Sequence, residues 1–343
     1  NLATGFGPLI QFYDVEGTMW GKFMMGNMLS LNGEEHTRIR SNVAHAFTPR
    51  HARHARPLMQ KVIGELLDEW APPGEFDFAQ FSAMFPIAVM CGVLGVSSKA
   101  VVPLHQAIED HFSSLTMNPA VKPLFLAAWE VLWQFVDDLV KDREASGVRD
   151  EDALLDTLIA AKNEGRIDET DLRFIILTLF NGGFDTSKNQ LSMTMSLLLD
   201  RPEMYARCAD DFDFCGKVVR ESLRHSGIAS PFRQVARDFT YKDHTFRKDE
   251  TLLMAPGLAN RDPSVFAQPE LFDPERENAS RHVAFGRGVH LCIGQYIATA
   301  QLQEGMHLIA QRLRNPRLAG PRAWRPFVGV WGPSSLPIAF DPA

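Results

Sequence analysis

Cysteine is scarce in this sequence and never closely paired. Cys91, Cys208, Cys215 and Cys292 are the only four in 343 residues, with no C-x-x-C among them, which argues against a disulfide framework or a zinc site. No apolar run approaches the roughly 18 residues that a membrane span needs, and the opening NLATGFGPLIQFYD has neither a basic region nor an apolar core behind it. Neither a membrane partner nor a secretory signal is therefore expected, and scattered thiols fit the reducing cytoplasm. Residue 1 is Asn rather than Met, so part of the natural N-terminus is expected to precede it. Positive charge is in deficit as well. A net charge of -7 argues against a nucleic-acid partner, although TPRHARHARP (48–57) gathers Arg50, His51, Arg53, His54 and Arg56 into one basic stretch.

What is present is ordinary globular material, 45% hydrophobic and 22% charged, without repeats or low-complexity linkers and long enough for one large core. A single domain over residues 1–343 is expected. Three- and four-residue apolar spacing in LMQKVIGELLDEW (58–70) and LFLAAWEVLWQFVDDLVKDREAS (124–146) predicts helices with a buried face. From about 233 to 256 short alternating runs predict small antiparallel hairpins, and the Pro-, Asn- and Asp-rich stretch after them predicts irregular surface chain. A last helix follows Cys292. The fold class read from this order is mainly α with a small antiparallel β portion.

One segment conflicts with its own propensities. IDETDLRFIILTLFNGGFDTSKNQLSMTMSLLLDRP opens with Asp168 and Asp171 placed as a capping box and runs to Pro202, about 30 residues or 45 Å of helix. Its middle is Asn181-Gly182-Gly183, followed by Asp185-Thr186-Ser187. Each glycine costs about 1 kcal/mol in a helix interior, and the polar trio competes for backbone hydrogen bonds. The segment alone fits two helices hinged at a Gly-Gly turn as well as one long helix kinked against something bulky. If Thr186 faces a pocket, helical spacing puts Thr178, Asn181 and Gly182 on the same side.

AFGRGVHLCIG (284–294) places three glycines around one thiol ahead of a helix. A dinucleotide fingerprint fails there, because Leu291 stands where the third glycine belongs. A cysteine nucleophile would have His290 nearby but no third orienting group. An inert buried thiol is the usual default. Against it stand Gly286, Gly288 and Gly294, which let backbone approach a flat group, and a helix N-terminus that favours thiolate. Such a thiolate is suited to ligate iron.

These residues resemble the cytochromes P-450, whose haem loop reads F-x-x-G-x-[HR]-x-C-x-G: Phe285, Gly288, His290, Cys292 and Gly294 fill it. ESLR supplies the family's E-x-x-R pair as Glu221 and Arg224, FDPER supplies its partner Arg276, and GGFDTS matches the central-helix motif. EEHTRIR is similar to the helix whose His36 and Arg40 reach the haem propionates, and Arg233 in SPFRQ aligns with another propionate-binding arginine. The resemblance covers essentially the whole sequence, with a shortened N-terminal lobe.

The resemblance implies the P-450 fold with a long central helix, a haem b cofactor (iron protoporphyrin IX) ligated by Cys292, and monooxygenase activity on an organic molecule. His36, Arg40, Gly182, Gly183, Arg233, Phe285, Gly286, His290, Cys292 and Gly294 are the expected cofactor-binding residues. Asp185 and Thr186 are the expected proton-delivering pair, supplying protons that bulk solvent excluded from the pocket cannot. Molecular oxygen is the implied co-substrate. No flavin or nicotinamide motif is found in the chain, so a ferredoxin or flavodoxin-like electron donor is implied, with the basic 50–56 stretch as a docking surface or, equally, a solvated helix face. GIAS (227–230) and FVGVW (327–331) are candidate pocket walls, indicating a largely apolar substrate. The Met-rich stretch 19–29 reads as a substrate lid or, preferentially, as core packing. A peroxide-driven enzyme and a haem-based sensor or carrier are the rival readings, and the retained Asp185-Thr186 pair disfavours both.

Overall fold

The Gly182-Gly183 sequence does not divide the central helix. In the computed structural model, which describes residues 2–3, 5–101, 104–150, 152–325 and 329–342, one uninterrupted helix runs Glu169–Leu199. The two-helix alternative is therefore set aside. The Asp168 carboxylate accepts from the amides of Thr170 and Asp171 at 2.8 and 2.7 Å, and Asp171 returns a bond from the Asp168 amide at 3.1 Å, the reciprocal capping expected of that pair. Tertiary burial overrides local propensity here: Leu191, Ser192, Thr194, Met195 and Leu198 lie at 0–1% exposure. Small hydroxyls let neighbouring helices approach, Ser192 meeting Ser82 at 2.7 Å and Thr194 meeting Ser222 at 2.8 Å.

The chain resolves into two compact units. The first comprises Asn1–Ala46, Val93–Gly182 and Ser230–Met254. It holds the helices Met19–Gly26, Gly33–Ser41, His105–Phe112 and Lys122–Ser146, a three-stranded antiparallel sheet of Leu2–Ala3, Phe232–Val235 and Thr251–Leu253, and the hairpin Phe239–Tyr241/His244–Phe246. The sequence-predicted helix at 124–146 and the hairpin region are thus present. Aromatic rings fill its core, with Phe23 and Trp129 centroids 4.8 Å apart, Trp20 and Phe125 at 4.7 Å, and the fully buried His111 ring 5.9 Å from Trp129. Of the Met-rich stretch, Trp20, Phe23, Met24 and Met28 are buried in core packing, whereas Met19, Met25 and Leu29 are exposed.

The second unit comprises Phe47–Gly92, Gly183–Ala229 and Ala255–Ala343. At its centre the helix Gln295–Arg312 packs against Arg56–Trp70, Pro202–Asp210 and Phe212–His225. Gly305 permits a further close approach, since a Cβ there would lie 2.7 Å from the Phe85 ring. Glu75–Asp77, Pro337–Pro342 and Leu313–Leu318 form an antiparallel sheet with the 337–342 strand in the middle. The hairpin Ala323–Trp324/Pro333–Ser335 completes the unit. Residues 257–282 are mostly turns and loops, as their composition predicts.

Candidate functional site

The Cys292 loop belongs to the second unit. Gly286 and Gly288 take φ of 73° and 75°, a region that strains any residue with a Cβ, so these two glycines set the loop's path. The Cys292 amide donates to the Phe285 carbonyl at 2.9 Å and the Ala298 amide to Gly294 at 2.8 Å, joining the loop to the helix that begins at Gln295. A Cβ on Gly294 would stand 4.0 Å from the Cys292 sulfur. Cys292 is half-buried while Cys91, Cys208 and Cys215 are buried. Burial pushes the Cys91 thiol up to about 12, and Cys215 is pushed up by its hydrogen bond with Cys208 and by burial. Those thiols are chemically quiet; Cys292 alone among the four is reachable.

A buried ionic network lies in the same unit as this loop. Glu221 and Arg224 are at 0% exposure, and Arg224 grips both carboxylate oxygens, Nη2 to Oε1 at 2.7 Å and Nε to Oε2 at 2.9 Å. Arg224 also donates to the carbonyls of Asn260, Pro269 and Leu271 at 2.9, 2.9 and 3.1 Å. Glu221 accepts from the Asp273 amide at 3.0 Å and from Arg276 Nε at 3.4 Å. The charges are tolerable in the interior because Glu221 is shared by both guanidiniums and every charged group is hydrogen-bonded. The family resemblance anticipated the three side chains; the carbonyls and the Asp273 amide, coming from aperiodic chain, gave no sequence signal.

Beside the loop, still within the second unit, is an open cleft of about 680 Å³ lined by Arg53, Arg56, Arg220, His282, Arg287 and Gly288, among others. Burial and the nearby Arg220 and Arg287 cations push His282 down. The basic stretch is not uniform, however. Arg50, Arg53 and the two histidines are exposed, whereas Arg56 pairs with buried Glu304 at 2.5 Å, bonds Gln303 at 3.0 Å and covers the Phe212 ring. Arg56 thus fastens two helices together.

On the central helix the two glycines differ. A Cβ on Gly182 would meet nothing within 4 Å, while one on Gly183 would lie 2.6 Å from Met90 Cε. Gly182 borders open space and Gly183 seats a packed helix. Thr186, one turn beyond Gly182, is half-buried, and Asp185 is fully buried. Asp185 Oδ1 accepts from Arg325 Nη1 at 2.6 Å and from Asn189 Nδ2 at 3.0 Å. Neither partner was visible in the sequence, Arg325 because it sits in aperiodic chain 140 positions away. Thr178 and Asn181 are buried, with the Thr178 hydroxyl turned back to the Phe174 carbonyl at 2.6 Å. Of the candidate walls, Ile228 accepts from the Trp331 amide at 3.0 Å; residues 327 and 328 of FVGVW lie outside the described residues.

The first unit holds the three remaining candidates. His36 is buried on the helix Gly33–Ser41 and pushed down by burial and then by Arg40, half-buried one turn on. Arg38, between them in sequence, instead bonds Glu35 and Asp171. Arg233 is half-buried on its strand, donates to the Phe232 carbonyl at 2.7 Å, and burial pushes it down. Among the described residues no ion pair involves Arg233. A half-desolvated guanidinium of that kind suits an external carboxylate. Taken unit by unit, the chemistry fits a haem: the second offers a reachable thiol on a glycine loop, of the kind that ligates iron, and the first offers the half-buried Arg233 guanidinium, of the kind that binds a propionate.

Comparison with known proteins agrees. The cytochrome P450 family profile matches residues 15–316. Luteothin monooxygenase of Streptomyces thioluteus is 30% identical over 350 residues, covering 100% of this chain and 85% of that protein. Mycinamicin IV hydroxylase/epoxidase of Micromonospora griseorubida is 29% identical, with 93% and 81% covered. An epothilone B-bound cytochrome P450 shares the fold at a TM-score of 0.90, 21% identical, with 100% and 87% covered. A cytochrome P450 for C–S bond formation in chuangxinmycin biosynthesis gives 0.87 at 27% identity, with 100% and 85% covered. Among the described residues no helix is long and apolar enough to cross a membrane.

Proposed function

This chain belongs to the cytochrome P450 family, a haem-thiolate monooxygenase, and from that premise we propose that Cys292 ligates the iron of a haem b and that the substrate is a largely apolar natural product. The observation that carries the ligand assignment is the half-buried Cys292 thiol on a loop built by left-handed Gly286 and Gly288. In this reading His36, Arg40 and Arg233 hold the propionates, and Phe285, Gly286, His290 and Gly294 shape the haem's thiolate side. Gly182, where a Cβ would meet nothing within 4 Å, would leave room for the cofactor and molecular oxygen, and Gly183 seats its part of the helix on Met90. Relatives named for luteothin and mycinamicin IV support a secondary metabolite as substrate.

When bound, haem iron with its thiolate supplies the activation of molecular oxygen and the electron density for O–O cleavage. The protein's own part is protonic and steric. Thr186, on the open face, positions a water or hydroxyl proton there, and Asp185 takes protons from solvent and passes them inward. The buried surroundings of the helix keep bulk water from delivering them unselectively. Two electrons come from a separate protein. An acidic ferredoxin or flavodoxin-like partner suits the cleft, where Arg53, Arg220 and Arg287 offer charge and Arg56 is committed to Glu304. A cytoplasmic setting belongs to the same proposal, supported by four free thiols.

The test of the ligand is spectral. Reduced protein under carbon monoxide should show the red-shifted Soret band of thiolate-ligated haem; Cys292→His and Cys292→Ala should lose it, and serine at 91, 208 or 215 should not. Survival of the band in either Cys292 variant overturns the assignment. Spectral titration with terpenes, steroids, fatty acids and aromatics then identifies the substrate class.

A further inference from the structure

The cleft beside the Cys292 loop is charged against the trend of the chain. Acidic residues outnumber Lys and Arg by 42 to 35, yet no Asp or Glu lines this cleft of about 680 Å³, while four arginines do. Arg53 comes from the helix Pro49–His54, Arg220 from Phe212–His225 and Arg287 from the loop ahead of Cys292, so three segments of the second unit converge there. Arg56 alone of the four has its charge met, by Glu304. Arg53, Arg220 and Arg287 form no ion pair among the described residues, Arg287 bonding only the Arg281 carbonyl at 3.3 Å. Arginines elsewhere on the surface of this unit are treated differently: Arg207, Arg312 and Arg317 each meet a carboxylate at 3.5 Å or less. The uncompensated field is felt inside the cleft, where burial, and then Arg220 and Arg287, hold His282 below the usual imidazole range.

Three guanidiniums facing one small volume call for about three negative charges; a single carboxylate does not carry them, and two linked phosphoryl groups at about -1.5 each do. Guanidinium forks also match phosphate oxygens two at a time. Ser280 and Gln295 add uncharged donors to the lining, and Tyr296, 45% exposed, adds an aromatic face at the start of the helix Gln295–Arg312. The volume is that of a small-ligand pocket. We propose that the cleft binds the pyrophosphoryl group of a small molecule, with Arg53, Arg220 and Arg287 gripping its oxygens. Arg56 takes no part, because releasing it would strand the Glu304 carboxylate, which is 2% exposed. A ligand with a ring beyond the phosphates gains from Tyr296; free pyrophosphate does not. Occupancy also puts negative charge where the electron donor is proposed to dock, so the ligand slows reduction, and this consequence, unlike binding, rests on the donor reading.

Isothermal titration calorimetry of the haem-loaded protein at fixed ionic strength compares sodium pyrophosphate, magnesium-free ATP and sulfate. Pyrophosphate should bind about tenfold tighter than sulfate or more, and Arg53→Ala, Arg220→Ala and Arg287→Ala should each weaken it about tenfold, the worth of a lost charge-assisted hydrogen bond. All three side chains are exposed, so the variants should fold and melt as the wild type does. Arg50→Ala removes a charge from the same basic stretch but outside the lining and should change nothing. Tighter binding of ATP than of pyrophosphate, lost in Tyr296→Ala, identifies a nucleotide-like ligand; equal binding of the two assigns the site to the free anion. No binding of pyrophosphate, equal binding of sulfate, or an Arg50→Ala as weak as Arg220→Ala overturns the proposal. Binding that leaves reduction by an acidic plant-type ferredoxin undiminished upholds the site and refutes instead the donor's place in the cleft.

Discussion

Replacing Glu221 probes the buried network most sharply, because its geometry sets the size of the effect. Glu221→Ala removes the acceptors of four donors: Arg224 Nε and Nη2, the Asp273 amide and Arg276 Nε. Arg224 at 0% exposure then keeps only its three carbonyl partners, with no counter-charge. Breaking a buried pair in this way costs about 3–5 kcal/mol. Glu221→Gln belongs near the lower end, since it keeps the volume but turns an N–H₂ toward one of those donors. With about 2.1 cal/mol/K of unfolding entropy per residue, the loss lowers Tm by roughly 4–7 °C if all 343 residues unfold together. Arg312 and Asp68 provide an internal control: they meet at the same 2.7 Å but are 43% and 68% exposed. Asp68→Asn should cost under about 1 kcal/mol. Haem content per chain and thermal melting of purified proteins read the difference. If Glu221→Ala matches the wild type in both, or Asp68→Asn matches Glu221→Ala, burial is not what makes the pair matter and the reasoning fails.

Thr186→Ala should retain the haem spectrum and substrate binding while diverting reducing equivalents from product to hydrogen peroxide; product formed per equivalent consumed checks this, and equal coupling removes Thr186 from proton delivery. Gly182→Ala should leave Tm unchanged or raised, having open space and gaining about 1 kcal/mol of helix propensity, whereas Gly183→Ala gains the same propensity but must displace the terminal methyl of Met90 and should melt below Gly182→Ala; melting curves that rank them the other way refute the assignment of the two glycines. His111, fully buried among aromatics and with no partner for Nδ1 among the described residues, is pushed down to about 4 by desolvation. The unfolded state gains the proton first, so the penalty is absent above pH 6.5, grows as pH falls, and reaches about 3 kcal/mol near pH 4. Urea melts across that interval should show a shallower loss of stability for His111→Phe than for wild type, and parallel curves would place the acid sensitivity elsewhere.

What the sequence disclosed was local or ordered. Glycine positions in 284–294 constrain backbone within a few residues and Asp168 with Asp171 cap their own helix, so spacing exposes them; Glu221 and Arg224 share one helical turn, but it was the resemblance that singled them out. Contacts that depend on how distant segments meet were silent. Arg56 looked like one more member of a basic run, yet its partner Glu304 is 248 positions away. Asp185 was legible as half of an acid-alcohol pair, while Arg325 was not, because nothing periodic surrounds it. Gly182 and Gly183 are indistinguishable as letters; Met90 alone separates them. The continuity of the central helix was undecidable from propensity because side chains such as Ser82 and Ser222, contributed from elsewhere, stabilise it.

The strand 337–342 lies between strands at 75–77 and 313–318, with Asp77 also accepting from the Leu336 amide at 3.0 Å and the Ser335 hydroxyl at 2.6 Å. During synthesis, then, the segment around Asp77 waits some 260 residues for its neighbour, which at 5–20 residues per second is roughly 13–50 s. Closing so long a loop makes the last sheet a late and slow event. The unit that carries Cys292 thus closes this sheet only after residues 337–342 have been synthesised, so its loop is translated well before the sheet of its own unit can form.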